Sequence, residues 1–251
     1  MQPFADHFSA IAAAYAAARP TYPPALFTYL AELAPARWRA WDCAAGNGQA
    51  TLPLARYFDE VVGTDASAEQ LAEMAAHPRV RRYTAPADAS GLPDDSVDLV
   101  TVAQALHWFA LPAFWAEARR VLCDRGIVAV WSYGIQHVDE AEVDRRLQAF
   151  YGDVVGPYWA PERRLVETGY GTLEFPFEEL APPRFDMALE WRLPELLAYV
   201  RTWSATNRFV KERGFDPVAP LGQELEPHWG AGARRVHWPL SLRVGRSRRP
   251  G

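Results

Sequence analysis

Residues 41–50 read WDCAAGNGQA, and this stretch decides the fold. An apolar run ends in an acid, Asp42, and a loop of small residues then leads into a helical stretch. Small residues let a ligand approach the backbone closely, and the N-terminus of the following helix presents free N–H groups. The stretch therefore predicts a strand, a ligand-binding loop and a helix.

The glycine spacing in this loop disfavours two common nucleotide motifs. A dinucleotide fingerprint needs Gly-x-Gly-x-x-Gly/Ala. Gly46 and Gly48 lead instead to Thr51, while Ala44 and Gly46 lead to Gln49. The loop also has no lysine of the kind that a P-loop needs. A nicotinamide oxidoreductase is therefore kept only as an alternative.

Apolar runs alternate with helical stretches outward from this loop. Strands are expected at 38–43, 61–64, 80–84, 97–103, 127–132 and 237–244. Helices are expected at 4–15, 25–33, 50–57, 68–76, 111–122, 138–151 and 193–206, with an irregular segment at 152–183. Because strands that alternate with helices pair in parallel, the sequence predicts an α/β fold.

Two more acids follow the next strands. Asp65 comes about twenty residues after the glycine turn, where a carboxylate can accept both ribose hydroxyl protons. The alternative is an N-cap for the next helix, which Ser67 can serve instead. Asp88 and Ala89, one strand further out, can accept from an exocyclic amino group and donate an N–H to a ring nitrogen, or form a simple turn.

Together, Asp42, Gly46, Gly48, Asp65 and Asp88 form a row of strand-end residues that resembles the class I S-adenosylmethionine-dependent methyltransferases. The runs LPDDSVDLV at 92–100 and ALHWF at 105–109 are similar to the next segment of that family. The opening YAAARPTYP at 15–23, with HWF at 107–109, most resembles the type 11, trans-aconitate methyltransferase-like branch. One departure is Ala44, which stands where the family has its first loop glycine.

The resemblance implies a doubly wound, Rossmann-like, seven-stranded and mostly parallel sheet with an antiparallel last strand. A helical cover and insertion would lie over the ligand end. Four regions are expected: an N-terminal helical cover at 1–36, a cofactor-binding core at 37–135, an insertion and substrate-covering region with late strands and helices at 136–235, and a final strand with a basic tail at 236–251.

The resemblance also implies an S-adenosylmethionine site. Its expected members are Tyr15, Arg19, Asp42, Ala44, Gly46, Gly48, Asp65, Ala66, Asp88, Ala89 and Gln104. Asp42, Gly46 and the Gln104 carbonyl would hold the methionine amino group, and Gly48 would lie near the cofactor backbone. Asp65 would bind the ribose, and Asp88 with Ala89 the adenine. Arg19 and Tyr15 would bind the carboxylate or close the pocket, although Arg19 can equally cap the first helix.

The methyl acceptor is expected to be a small molecule, either a carboxylate or an aromatic, quinone-like ring. Its expected contacts are Trp108, Tyr158, Trp159, Arg163, Trp203, Ser204 and Arg208. A carboxylate is ionised at neutral pH and needs only arginines to orient it. A phenol or an activated carbon benefits from a base, for which His107 is the candidate; the alternative is a loop histidine bonded to the backbone.

Composition excludes several other classes. The 251-residue chain carries a formal net charge of −5, which disfavours a nucleic-acid partner. Its two cysteines are too few for a disulfide framework, and no histidine or cysteine cluster has metal-ligand spacing. Without a long apolar run or a basic N-terminal region, we expect a cytoplasmic monomer or homodimer away from membranes. A cofactor-binding protein without turnover is the remaining alternative.

Overall fold

The computed structural model describes residues 20–248. The predicted helix at 4–15, Tyr15 and Arg19 therefore lie outside the described residues. The described chain divides into two compact units. The first, here called the sheet unit, comprises residues 22–134, 164–186 and 239–248; the second, the helical unit, comprises residues 135–163 and 187–238.

The elements follow one another in chain order. Up to residue 133 they are α1 (Pro24–Leu33), β1 (Arg39–Cys43), α2 (Thr51–Leu54), β2 (Glu60–Asp65), α3 (Ala68–Ala72), β3 (Val80–Thr84), β4 (Val97–Ala103), a 3-10 turn (Leu106–Trp108), α4 (Leu111–Val121) and β5 (Leu122–Tyr133). Beyond it they are β6 (His137–Val138), α5 (Ala141–Ala149), a π turn (Phe150–Val154), a 3-10 turn (Gly156–Tyr158), α6 (Arg163–Glu167), β7 (Glu178–Leu180), β8 (Asp186–Trp191), α7 (Leu193–Arg201), α8 (Ser204–Arg213), α9 (Val218–Trp229) and β9 (Arg234–Arg246).

The sheet confirms the predicted fold class. Its order is β3-β2-β1-β4-β5-β9, and the first five strands pair in parallel while β9 is antiparallel. β7 pairs with β9 through Glu178 and Arg246 and supplies the seventh strand of the sheet unit. The strand order reverses beside β1, so the carboxyl ends of β1 and β4 form the place where ligands bind in such sheets.

The central strands are buried on both faces. Trp41 on β1, Val100 on β4 and Val128 on β5 are fully buried, and they share one core cluster with Phe114 and Trp115 of α4. Apolar runs without alternation are typical of parallel strands covered by helices on both sides. The predicted strands at 80–84 and 97–103 have the predicted bounds.

Two helices of the sheet unit are shorter than predicted. α2 ends at Leu54 because the next residues form i→i+3 bonds, from Arg56 N–H to the Pro53 carbonyl and from Tyr57 N–H to that of Leu54. α3 ends at Ala72 rather than at 76, where the Met74 N–H donates to the Leu71 carbonyl in an i→i+3 bond.

The prediction of one helix at 193–206 was wrong. α7 and α8 are separated at Thr202 and Trp203, because the Thr202 hydroxyl donates to the Tyr199 carbonyl at 2.6 Å and the Trp203 backbone is extended. The helix expected at 138–151 begins later, after strand β6, where the Glu140 side chain caps α5.

The sequence analysis also missed α9. Pro220 and Pro227 look like helix breakers, but Pro220 lies in the first turn of α9, where no N–H donor is needed. Among residues 20–248, none of the helices combines the length and the apolar composition that crossing a bilayer requires.

Candidate functional site

The loop after β1 has left-handed backbone at three positions. Gly46 has φ +54° and Gly48 has φ +88°. Ala44, which stands at the family's first glycine, has φ +57° and so takes a conformation that costs a non-glycine residue about 1–2 kcal/mol. At Gly48 a Cβ atom would lie only 2.5 Å from Cγ of Met74, which follows α3, so close packing against this side chain also favours glycine there.

Asp42 is buried behind this loop. Thr51 Oγ1 donates to its Oδ2 at 2.6 Å, and Thr101 Oγ1 donates to its Oδ1 at 2.7 Å. Burial, with a smaller contribution from the Asp65 charge, raises the pKa of Asp42 to about 6, although both threonine bonds oppose the rise. These contacts fix Asp42 between β1, α2 and β4.

Asp65 joins the first two loops at the carboxyl ends of β1 and β2. Its Oδ2 accepts the Gly46 N–H at 2.8 Å, and its Oδ1 accepts the Ser67 N–H at 2.8 Å. Ser67 caps α3 by accepting the Gln70 N–H at 3.2 Å. The N-cap is therefore Ser67, and Asp65 is half-buried at the sheet edge.

A cavity of about 500 Å³ opens at this edge. It is lined by Cys43, Ala44, Asp65, Ala66, Ala85, Pro86, Ala87, Asp88, Gln104, Ala105, Trp108, Phe109, Ala110 and Phe114. Five of the predicted cofactor residues therefore share one cavity wall: Ala44, Asp65, Ala66, Asp88 and Gln104. Asp42, Gly46, Gly48 and Ala89 are not part of this lining.

Gln104 ends β4 in a strained conformation. Its φ is +60°, its N–H donates to the Trp131 carbonyl at 2.9 Å, and its side chain donates to the Tyr133 carbonyl at 3.3 Å. The left-handed conformation costs a non-glycine residue about 1–3 kcal/mol. It persists mainly where the surrounding structure imposes it, often at binding sites.

Asp88 and Ala89 follow β3. Asp88 is exposed in the cavity wall, and its carboxylate has no hydrogen-bond or ion-pair partner within residues 20–248. The Ala89 N–H, which was predicted to face a ring nitrogen, donates to the Pro86 carbonyl at 3.3 Å.

His107 lies in the turn between β4 and α4, next to the cavity wall but not in its lining. Its Nδ1 lies 3.0 Å from the Tyr170 hydroxyl. Its ring centroid lies 4.7 Å from that of Trp108, which is 62% exposed and lines the cavity.

The other predicted acceptor residues lie in the helical unit. Trp159 and Trp203 surround Tyr151, with ring centroids 5.0 and 5.6 Å from the tyrosine ring. Arg163 donates to the Tyr151 hydroxyl at 2.9 Å, and its guanidinium lies 4.8 Å from the Trp159 ring centroid. These residues form one aromatic group, and their role toward an acceptor stays a prediction.

Tyr158, Arg208 and Ser204 are placed separately from that group. The Tyr158 carbonyl accepts from Arg208 at 3.3 Å, and its hydroxyl accepts from Arg213 at 2.7 Å. Ser204 is exposed at the first residue of α8. In the described part of the chain, no group of three or more histidine, cysteine or acidic side chains could hold a metal ion.

Sequence reasoning missed Thr51, Thr101 and Tyr170. The threonines are short polar residues in otherwise apolar runs, a signal that suggests a buried polar partner such as Asp42. Tyr170 lies in the irregular segment and has no motif around it, so only the folded contact reveals it.

Comparisons with known proteins identify the family of this chain. A family model for a type 11 methyltransferase domain matches residues 41–130. The chain is 32% identical over 226 residues to a Dictyostelium discoideum protein assigned as a methyltransferase, which covers 88% of this chain and 86% of that protein. It is 29% identical over 168 residues, 61% of this chain and 57% of that protein, to a Saccharomyces cerevisiae protein assigned as an S-adenosylmethionine-dependent methyltransferase.

A solved structure gives the same result. A protein from Anaeromyxobacter dehalogenans, assigned as a type II methyltransferase, superposes with a TM-score of 0.86 at 43% sequence identity and covers 91% of this chain and 97% of that one. The chain therefore belongs to the class I methyltransferases with a type 11 domain, which use S-adenosylmethionine as the methyl donor.

Proposed function

We propose that the protein methylates a small molecule carrying an aromatic or quinone-like ring. The observation that carries this proposal is the lining of the cavity, which includes the Trp108, Phe109 and Phe114 rings. Among residues 20–248, the only charged side chains in this lining are the acids Asp65 and Asp88. An apolar cavity of this size with a few polar groups suits a small organic ligand.

The other acceptor class, a carboxylate as in the trans-aconitate branch, is less well supported. A carboxylate needs a guanidinium or ammonium partner. No arginine or lysine of the described chain lines the cavity, and the predicted partners Arg163 and Arg208 already contact Tyr151, Trp159 and Tyr158. We therefore place the ring acceptor first.

The residues of the cavity fit the methyl donor. Asp88 offers an unpartnered carboxylate for the adenine amino group, and each Asp65 oxygen keeps a second lone pair for a ribose hydroxyl. Ala44 and Ala66 have small side chains and leave room for the donor beside these acids. We assign the Gln104 carbonyl in the lining, and the Gly46 backbone outside it, to the amino group of the methionine part.

When bound, S-adenosylmethionine supplies an electrophilic methyl group. The chain's own contribution is to orient the acceptor against the Trp108 ring and to exclude water with the apolar wall. His107 would take the acceptor's hydroxyl proton on a ring nitrogen, in the role of a general base.

Ligand binding tests the cofactor class first. S-adenosylmethionine and S-adenosylhomocysteine should raise the melting temperature and NAD should not, because only a ligand that binds the folded state stabilises it. A higher melting temperature with NAD alone would support the oxidoreductase alternative instead.

An acceptor panel with labelled methyl donor then tests turnover. Transfer to phenols or quinols would support the proposal, and methyl esters formed on aconitate-like or fatty acids would overturn the ring acceptor. Tight binding of the donor with no transfer to any acceptor would favour a cofactor-binding protein without turnover.

A further inference from the structure

The segment between β3 and β4 carries Asp88 and contains no helix or strand at residues 85–96. Its first residue is tied to the sheet, because the Ala85 N–H donates to the Asp65 carbonyl at 3.1 Å. Residues 85–88 line the cavity, where Asp88 is exposed and its carboxylate has no partner among residues 20–248. The place of Asp88 in the wall therefore depends on how the chain is held after it.

Ser90, two residues after Asp88, is fully buried and is bound through each of its polar groups. Its N–H donates to Glu117 Oε1 at 2.8 Å, and its hydroxyl donates to the same oxygen. Its carbonyl accepts from the Tyr83 hydroxyl at 2.9 Å. Hydrogen bonds to a carboxylate are stronger than those between neutral groups, so Glu117 is the main anchor of this part of the segment.

Glu117 lies on α4 and is itself buried. Arg120, one turn later, donates from Nε to Oε2 at 2.8 Å and from Nη2 to Oε1 at 2.7 Å. A buried carboxylate is costly unless it is both paired and hydrogen-bonded, and these contacts meet the two requirements. Phe114, one turn earlier on the same helix, lines the cavity. Glu117 thus joins the segment that carries Asp88 to the helix that carries part of the aromatic wall.

We propose that Glu117 is a positioning residue for the methyl donor: by holding Ser90 against α4, it keeps Asp88 within reach of the adenine amino group. The inference rests on the proposed contact between Asp88 and that amino group. Glu117 does not line the cavity and acts through the backbone of the segment. Because Phe114 and Glu117 lie on one helix, the same carboxylate sets the separation between the adenine side and the aromatic wall.

A pair of ligands separates positioning from a general structural role. The first is S-adenosylhomocysteine, and the second is its analogue with an unsubstituted purine, which lacks the amino group. In calorimetric titration, Glu117→Ala should weaken binding of the first about tenfold, as expected when a charge-assisted bond is lost, and leave binding of the second nearly unchanged. An equal loss for both ligands, or no loss for either, would overturn the inference.

Ser90→Ala gives a second, milder variant that decides the matter if Glu117→Ala fails to fold. It removes one of the two bonds from Ser90 to Glu117 and should lower the preference for adenine over purine in the same direction. Ser96→Ala is the matched control, because the Ser96 hydroxyl lies in the same segment and donates to the Pro93 carbonyl at 2.7 Å. Equal preferences in the two serine variants would contradict the inference.

The Asp88→Ala background tests whether Glu117 acts through Asp88. There Glu117→Ala, or Ser90→Ala in its place, should cause no further loss of S-adenosylhomocysteine binding, whereas an equal loss in both backgrounds would mean that Glu117 acts elsewhere. If Asp88→Ala alone left the preference for adenine unchanged, the proposed adenine contact would be wrong and the inference with it. A preference that depends on Asp88 but not on Glu117 or Ser90 would overturn the inference alone.

Discussion

Ala44 adopts a left-handed conformation beside the cavity, and its methyl group makes that conformation costly. We expect Ala44→Gly to raise the free energy of unfolding by about 0.5–1 kcal/mol, because the relief of strain exceeds the added entropy of the unfolded chain. Urea unfolding measures the change. Ala34→Gly, at φ −63°, is the control and should destabilise. A loss of stability in Ala44→Gly would show that the alanine is not strained.

Asp65 and Asp88 differ in what they do for the folded chain. Asp65→Ala should weaken binding of S-adenosylhomocysteine more than tenfold, from charge-assisted bonds of about 1.5–3 kcal/mol, and should lower the melting temperature because Gly46 and Ser67 lose their acceptor. Asp88→Ala should weaken binding at an unchanged melting temperature. Calorimetric titration and thermal unfolding measure both quantities. Unchanged dissociation constants would remove the two acids from the site.

Asp42 should make stability depend on pH. Its pKa rises from 3.8 in the unfolded chain to about 6 in the folded protein, so the folded state binds more protons between these values. The stabilisation that protonated Asp42 adds to the free energy of unfolding is therefore complete below about pH 4 and is lost as the pH rises through about 6. The loss is about 3 kcal/mol, because a difference of one in pKa corresponds to about 1.4 kcal/mol.

Asp42→Asn isolates this contribution, because asparagine does not titrate. Relative to the wild type, the free energy of unfolding of the variant should increase by about 3 kcal/mol between about pH 4 and about pH 7. Urea unfolding across that range measures the difference. A constant difference between the two proteins would mean that Asp42 titrates normally in the folded state.

At the scale of single residues, strand-end position identified Asp65 and Asp88, and the family resemblance added Ala44 and Gln104; all four line the cavity. The sequence could not show that the Asp42 oxygens are occupied by two threonine hydroxyls, since one of these, on Thr101, comes from another strand. Such contacts depend on strand register, which the local pattern does not specify.

Among the elements, α8 ends at a left-handed glycine. Gly214 has φ +80°, and no atom lies within 4 Å of a Cβ built there, so the cost of a side chain is confined to the backbone. Gly214→Ala should lower the free energy of unfolding by about 1 kcal/mol. Gly152→Ala, also in open space but without a positive φ, is the control and should stabilise by about 0.5 kcal/mol. Equal effects in urea unfolding would contradict this account.

The strands were easier to predict than the late helices. β1, β2, β4 and β5 contain buried apolar runs between turn residues, a signal that is local. β3, which is half-exposed and carries two arginines, was predicted from its place in the alternation of strands and helices. The break at Trp203 depends on a side-chain bond, and the tolerance of Pro220 depends on its position in the first turn of α9. Neither is visible in hydrophobic periodicity.

On the scale of the whole molecule, hydrogen exchange can show which of the two units each ligand protects. Hydrogen exchange with S-adenosylhomocysteine should slow at Ala44–Gly48, Asp65–Ser67 and Ala85–Asp88, because the cavity lies in the sheet unit. If the predicted acceptor residues of the helical unit are correct, added acceptor should slow exchange near Trp159 and Trp203. Protection that never extends beyond the sheet unit would remove those residues from the acceptor site.

Of the ten tryptophans, Trp108 stands in a cavity wall with 62% of its surface open to solvent. Its indole should emit at long wavelength and be quenched by acrylamide, as should that of Trp38, which is 60% exposed, whereas the fully buried Trp41 and Trp131 should resist quenching. A Trp38→Phe background therefore isolates the Trp108 signal. Binding of a purine or an aromatic acceptor beside it should shield that fluorophore. The protein thus carries its own optical reporter, with which unlabelled compound collections can be screened for the missing acceptor.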